Sequence, residues 1–243
     1  MSKYKNLHRW MFIPLIFMQL GIMQDYWGDF SQNAWSVHVH YWTGTVWYIY
    51  LIIQPYFVTH GQIERHRTNG IIGMFLAGGV CLTAFSMMNR DLVNAQHAME
   101  KPDAFGPFQP WFFMGVAVVE IVMMAAFAFA VIQSILHRKK MEDHSWWLIT
   151  TVFTIMMPAL GRGIQNVYIG INSKHWPDID IMIPIYITVV LIITMLLVTA
   201  WKFGKLRHPA TYLSFGINAF IFLLEPLGRS KAIQEFLTSM IKG

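Results

Sequence analysis

The chain alternates long apolar runs with short polar stretches, and the apolar runs have the length of membrane-spanning helices. They occupy roughly residues 10–23, 41–59, 70–88, 108–136, 145–171, 181–200 and 209–227. Residues 41–59, if helical, rise about 28 Å, which is close to the thickness of one hydrocarbon core. The pattern therefore predicts an all-α fold: a polytopic membrane helix bundle of about seven transmembrane helices.

Composition supports a membrane protein. Of the 243 residues, 55% are hydrophobic and 13% are charged, whereas a soluble domain carries about 25% charged residues. We therefore predict one integral membrane domain over residues 1–243, with the lipid bilayer as its main partner. The chain has one cysteine, so a disulfide framework is excluded.

The runs 41–59, 70–88, 108–136 and 145–171 are predicted to form a four-helix core. Pro55 and Pro158 interrupt the first and the last of these runs, and the run 70–88 starts with the small residues Gly70 and Gly73. Small residues let another helix or a flat ligand approach the backbone closely. Residues 60–69 and 89–107 are predicted to be connections, the second a long polar loop, and the tail from residue 228 a short surface helix.

The positive charges are distributed unevenly between the predicted loops. With seven spans, the amino terminus and the loops on its side carry eleven Lys and Arg residues, against six on the other side. Positive loops stay in the cytoplasm. We therefore expect a cytoplasmic amino terminus and an external carboxyl terminus. The net charge of +5 reflects this bias and predicts no nucleic-acid partner.

Three ionisable residues, Glu120, Arg162 and Glu225, lie inside apolar runs. Ionisable side chains within a membrane are costly and usually paired or functional. Helical rise puts Arg162 and Glu225 at similar depths, which predicts an ion pair between them. The same argument brings Gln54 near Glu120, as a hydrogen-bond partner. These residues either fix helix packing, or Arg162 neutralises an anionic ligand (a haem propionate or a lipid phosphate) while Glu120 carries a proton.

Histidines cluster at the ends of the predicted spans. Six are expected on the cytoplasmic side: His8, His60, His66, His137, His144 and His208. Neutral imidazole binds haem iron, copper or zinc, and the candidate metal ligands are His40, His60, His66 and His144. His38 and His40 are two residues apart, so on a helix they face different ways and cannot bind the same metal ion.

These residues form a pattern that resembles a known family. The pattern consists of His40 at the start of one run, the motif His66-Arg67-x-x-Gly70 opening the next, His144-x-x-Trp147 opening another, and Arg162 within it. It covers roughly residues 38–170 and resembles the bacterial membrane domain of unknown function 2306. The resemblance implies a multi-span protein of the bacterial inner membrane without an assigned reaction, and it supports His40, His66, His144 and Arg162 as site residues. The additional His38 and His60 and the long 89–107 loop depart from that pattern.

More distantly, the layout is similar to that of b561-type cytochromes, which hold haem between histidines of a four-helix core. This similarity implies a membrane redox protein with haem b. His66 and His144 would be the axial ligands, and Arg67 or Arg162 would neutralise the propionates. His40 would serve an outer site or a quinone, and a redox protein would exchange electrons with the chain.

Three other functions stay open at this point. Proline-broken spans together with Glu120, Arg162 and Glu225 are also typical of a non-redox transporter or channel. Polar residues at helix contacts are equally typical of an accessory subunit in a larger membrane complex or homo-oligomer. Several cytoplasmic histidines around one metal ion would suit a metal-dependent membrane enzyme.

Overall fold

A computed structural model of the chain describes residues 4–242, without the side chains of residues 240–242. Over this range the chain is built of helices and short turns, with no β-strand. The predicted all-α fold is confirmed. Among the residues counted for the charge bias, Lys3 lies outside the described residues, as does the side chain of Lys242.

The helices follow one another with short connections. In the first half of the chain they are α1 Leu7–Trp10, α2 Phe12–Gly21, α3 Trp35–Thr59, α4 Ile63–Glu100, α5 Pro102–Phe105 and α6 Pro110–Leu136. In the second half they are α7 Met141–Thr154, α8 Met157–Ile171, α9 Met182–Phe203, α10 Pro209–Phe220, α11 Leu224–Arg229 and α12 Lys231–Lys242. A π-helical turn, Met23–Gly28, follows α2. We call the end of the bundle that carries residues 101–109 and 172–181 the outer end, following the predicted orientation.

Five helical segments of the described chain are long and apolar enough to cross a membrane. They are α4, α6, α7 with α8, α9, and α10 with α11. This finding indicates a bilayer environment, while the count of seven spans stays a prediction. The 10 residues of α2 are too short to span alone. The 25 residues of α3 are long enough, but they include many Trp and Tyr residues, which lower the mean hydropathy.

Helix α4 is much longer than the predicted span 70–88. Its 38 residues rise about 57 Å, so the predicted loops 60–69 and 89–107 are wrong over most of their length. The reason is a period of three to four residues that continues beyond the apolar run. Ala84, Met87, Asp91, Ala95 and Ala98 are all buried, so one face of α4 stays against the bundle up to its end.

Helix α6 lies at the centre of the bundle, packed against α4, α7 and α11. Its buried side chains include Met114, Ala117, Phe127 and Ala130, all without exposed surface. At its outer end the backbone of α11 approaches closely. A Cβ atom added to Gly115 would lie 2.5 Å from the carbonyl oxygen of Leu224.

The predicted interruption of span 145–171 is present as a break between α7 and α8, at Ile155 and Met156. Helix α8 then packs against α2 through glycines, because a Cβ on Gly163 would lie 2.7 Å from the Cα of Gly21. Helix α7 is held from α3, where the Trp47 indole donates to the Thr151 hydroxyl at 3.2 Å. These contacts fix both halves of the broken helix against the bundle.

The chain ends in α12, which packs against α11, α6 and α4. Leu237 is buried against the bundle, while Phe236 at the preceding position is exposed. A surface helix was predicted for this tail, and the structure confirms it.

Candidate functional site

Two acidic side chains are buried between α4 and α6. Asp91 is 6% exposed and Glu120 is 8% exposed. Asp91 lies nine residues before the end of α4, and Glu120 lies ten residues after the start of α6. At the helical rise these positions are about 14 and 15 Å from the outer ends of their helices. The two carboxyl groups therefore lie at the same level of the bundle.

Arg162 on α8 lies at this level as well, nine residues before the end of its helix, or about 14 Å. The carboxylates whose charges reach it are Asp91, Asp25 and Glu120. Asp25, in the π-helical turn, is fixed by a hydrogen bond from the Asn166 amide on α8. We call Asp91, Glu120 and Arg162 the polar layer, and Asp25 lies beside it. The positive charge of Arg90 also acts on Asp91 and Glu120.

A cavity of about 80 Å³ opens beside these charges. The polar side chains that line it include His40, Thr83, Glu120 and Arg162. The Nδ1 atom of His40 lies 3.3 Å from the Thr83 hydroxyl. A volume of about 10–15 Å³ holds one water molecule, so this cavity has room for several waters or for a solute of a few heavy atoms.

The break between α7 and α8 faces the same cavity, because Ile155, Pro158 and Ala159 line it. Pro158 has no N–H group, so the Thr154 carbonyl four residues earlier receives no helical hydrogen bond from it. Two other carbonyls near the break are bonded by side chains from neighbouring helices. The Tyr48 hydroxyl donates to the Val152 carbonyl at 3.0 Å, and the Asn218 amide to that of Phe153 at 3.1 Å.

The buried acids are incompletely paired. Within the described residues, the Oε2 atom of Glu120 and the Oδ2 atom of Asp91 have no hydrogen-bond partner. A buried polar atom without a partner is costly and calls for an explanation such as an absent water, ion or proton. Glu120 is the one of these two acids that lines the cavity.

His66 and His144, the predicted axial pair, are brought together at the inner end of the bundle. Their ring centroids are 6.0 Å apart, with the rings nearly perpendicular. The Nδ1 atom of His144 lies 2.9 Å from the Ser134 carbonyl. The Ser134 hydroxyl lies 2.8 Å from the same Nδ1 atom. Nδ1 donates to the carbonyl in one tautomer of the ring and accepts from the hydroxyl in the other, and the first tautomer leaves the Nε2 lone pair free. The Nδ1 atom of His66 is buried without a partner among the described residues.

The other inner histidines do not join this pair. His8 and His60 contact each other with ring centroids 5.8 Å apart, and His137 bonds the carbonyl of its own helix. No group of three or more His, Cys, Asp or Glu side chains that could hold a metal ion is present in the part of the chain that the structure describes. The expectation that the inner histidines converge on one site is therefore wrong, and His66 with His144 is one pair among several.

His208 belongs to a polar connection between α7 and α10. Its Nε2 atom is 3.4 Å from the Asp143 carboxylate, and its Nδ1 atom accepts a hydrogen bond from the Ala210 N–H at 3.1 Å. Lys205 is 3.0 Å from the Glu142 carboxylate in the same connection. Burial lowers the pKa of His208, and the charge of Lys205 lowers it further.

The structure corrects two other predicted contacts. Glu225 accepts a hydrogen bond from Arg229 at 2.8 Å on its own helix turn, so the predicted ion pair with Arg162 is wrong. Gln54 is buried, but both its amide atoms lack partners in the described chain, so it does not bond Glu120. Arg67 is exposed.

The small-residue face of α4 packs against α3. The Tyr50 ring of α3 lies directly against Gly73. Of the two predicted neighbours of this surface, a helix or a flat ligand, the helix is present. His38 and His40 face different neighbours, as predicted: His38 contacts the Tyr26 hydroxyl at 2.9 Å, whereas His40 contacts Thr83.

Asp91 is the site residue that the sequence reasoning missed. It follows Arg90 in a stretch with many polar residues, which was taken for a loop. The signal that identifies it is the spacing of small and apolar residues around it, since Met87, Asp91 and Ala95 lie on one helical face.

Comparisons of the chain with protein-family models, curated proteins and solved structures find no match. The resemblance to the domain of unknown function 2306, and the looser one to b561-type cytochromes, therefore stay predictions. The polar layer and the pair of His66 and His144 are the features of the structure that bear on function.

Proposed function

We propose that the protein is a membrane transport protein that carries protons through the polar layer of Asp91, Glu120 and Arg162. Glu120 is the proton carrier, Arg162 stabilises its ionised form, and the cavity gives it access to water or solute. Chains of Asp, Glu and His side chains are the usual proton relays of membrane pumps and transporters.

One observation carries the proposal: Glu120 is buried, lines a cavity together with Arg162 and His40, and has an Oε2 atom without a hydrogen-bond partner among the described residues. Burial favours the neutral acid, while a nearby guanidinium favours the carboxylate. A carboxyl group under both influences changes its protonation when its surroundings change slightly. That property is what a proton carrier needs, whereas a purely structural carboxylate is usually fully hydrogen-bonded.

Proton movement can be measured in liposomes. The purified protein is reconstituted with a pH-sensitive dye inside, a potassium diffusion potential is imposed with valinomycin, and internal acidification is recorded. We expect the wild type to acidify the lumen faster than protein-free liposomes, and Glu120→Gln to reduce the rate to the protein-free level. Glu64→Gln removes an exposed carboxylate from the first turn of α4 and serves as the matched control.

Two results would overturn the proposal. One is a wild-type rate equal to that of protein-free liposomes at every potential tested. The other is an unchanged rate in Glu120→Gln, provided that the variant elutes as the wild type does on size-exclusion chromatography.

A second candidate is a redox protein that holds haem b or a single metal ion between His66 and His144. The 6.0 Å between their ring centroids supports it, since bonds from a metal ion to imidazole nitrogen are about 2.0–2.1 Å long. The Nδ1 bond of His144 to a backbone carbonyl also supports it, because metal-binding histidines usually donate their other N–H in this way.

Absorption spectra test this candidate. We expect the purified protein, oxidised and then reduced with dithionite, to give a Soret band, or elemental analysis to detect bound metal. Either signal should be lost in His66→Ala and in His144→Ala and kept in His97→Ala, which changes an exposed histidine of α4. A colourless, metal-free wild-type protein after expression with haem precursor and metal supplements would contradict it.

A further inference from the structure

The cavity is lined by residues of the first turn of α8, by Arg162 and by Glu120, whose Oε2 atom has no hydrogen-bond partner among the described residues. No side chain caps the start of α8, and Pro158 and Ala159 in its first turn line the cavity. The first N–H groups of a helix carry partial positive charge and bind anions. Here the Ala159 N–H is the one that borders the cavity, because Pro158 has none and the Leu160 N–H bonds the Met156 carbonyl. Arg162 follows about one and a half turns later, so two positive groups border the space.

The rest of the wall is mostly apolar. Four methionines line the cavity, Met18 from α2, Met87 from α4, and Met123 and Met124 from α6. Such a wall would leave the oxygens of a phosphate or sulfate unsatisfied, and unpaired buried charge is expensive. It suits a ligand with one anionic end and a short apolar remainder, and thioether side chains adapt easily to its shape.

We infer that the cavity binds a short-chain monocarboxylate together with one proton, the proton being held on Glu120. This inference rests on the proposed function, and it adds the class of solute that the proton accompanies. The carboxylate of the ligand would lie between Arg162 and the first turn of α8. The protonated Glu120 would donate its proton as a hydrogen bond to that carboxylate, without covalent change.

Binding must depend on the protonation of Glu120. When Glu120 is ionised, two anionic groups would face each other in a space of about 80 Å³, and like charges at short range repel strongly in a medium of low dielectric constant. The charged groups that act on Glu120 are Asp91 and Arg90 from α4 and Arg162 from α8, and His40 from α3 lines the same space. Asp91 adds to the repulsion, and the two arginines oppose it.

Binding of pyruvate to the purified full-length protein tests the inference. Isothermal titration in detergent between pH 5 and 8 measures the dissociation constant directly, so the result does not depend on the pyruvic acid that crosses lipid by itself. We expect wild-type affinity to fall about tenfold per pH unit once Glu120 ionises. Glu120→Gln, which resembles the protonated acid, should keep the affinity and lose the pH dependence.

Two further variants act on the same cavity. Arg162→Gln should weaken pyruvate binding about 10- to 100-fold, the effect of losing charge-assisted hydrogen bonds, and Arg162→Lys should restore part of it. Gly44 lines the cavity, and an added Cβ there meets no atom within 4 Å, so Gly44→Leu should fill the space and abolish binding. Arg138→Gln, at an exposed arginine between α6 and α7, is the control and should bind as the wild type does.

The outcomes separate this inference from the proposed function. Proton movement in liposomes without pyruvate binding would overturn the monocarboxylate site and leave the proton carrier intact. Pyruvate binding without proton movement, in liposomes both with and without external pyruvate and relative to protein-free liposomes, would overturn the carrier. Wild-type binding of tetramethylammonium or inorganic phosphate in place of pyruvate, or pyruvate binding unaffected by Gly44→Leu, would also refute the inference.

Discussion

The contact between α2 and α8 permits a sharp prediction, because both sides of it are backbone. A Cβ on Gly163 would lie 2.7 Å from the Cα of Gly21 and 2.9 Å from its carbonyl oxygen. No flexible side chain can swing aside, so Gly163→Ala must push the helices apart. Reaching the 3.4 Å at which ordinary contact begins requires a displacement of about 0.7 Å, the difference from 2.7 Å.

The cost of this displacement can be separated from the helix propensity of alanine. Overpacking of this kind typically costs about 1–3 kcal/mol, whereas Gly→Ala within a helix gains up to about 1 kcal/mol. Gly78→Ala is the matched control, because Gly78 lies inside α4 and an added Cβ there meets nothing within 4 Å. Relative to that control, we expect Gly163→Ala to lose about 1–3 kcal/mol.

Thermal unfolding in detergent, followed by the fluorescence of the ten tryptophans, measures the effect. For a chain of this length 1 kcal/mol corresponds to about 2–4 °C in Tm, so Gly163→Ala should melt about 2–12 °C below Gly78→Ala. Equal melting temperatures for the two variants would refute the close backbone contact and, with it, the placement of Arg162 at the cavity.

Three further predictions concern other polar contacts. Asn218→Leu removes the amide that bonds the Phe153 carbonyl and should lower the unfolding free energy by about 1–3 kcal/mol, and an unchanged urea midpoint would contradict this. Burial lowers the pKa of His208, so its contribution to stability is complete above the ordinary histidine pKa and is lost as pH falls through the lowered value. The drop in Tm from pH 7.5 to 5.5 should therefore be smaller in His208→Asn than in the wild type, and an equal drop would exclude this role. Glu225→Gln should cost less than about 1 kcal/mol, because its bond to Arg229 joins two partly exposed groups, and a larger loss in the melting assay would indicate another partner.

The sequence predicted the helices and the ionisable residues better than it predicted their pairing. Apolar runs revealed the membrane helices, and Glu120 and Arg162 stood out because charges are rare in such runs. Helical rise then gave depth but no rotation about the helix axis. Glu225 therefore seemed a partner for Arg162 at matching depth, whereas its side chain is bonded to Arg229 on α11.

Mean hydropathy gave no indication of one residue of the polar layer, Asp91. Arg90 and Asp91 interrupt the apolar run of α4, and this interruption suggested a loop where the helix continues. The periodicity of buried positions would have kept Asp91 on the helix, because it does not depend on the mean hydropathy of the segment. The break at Pro158 was readable from proline alone, but the cavity beside it depends on how α2, α4 and α6 pack, which no local pattern specifies.

Glycine contacts tie the molecule into two stiff pairs, α2 with α8 and α6 with α11. The cavity is lined by methionines from α2, α4 and α6. Unbranched thioether side chains rearrange at low cost, so the cavity can change its shape while the backbone contacts within each helix pair stay in place. Glu120 and Arg162 therefore share a cavity whose methionine side chains can adapt to a ligand.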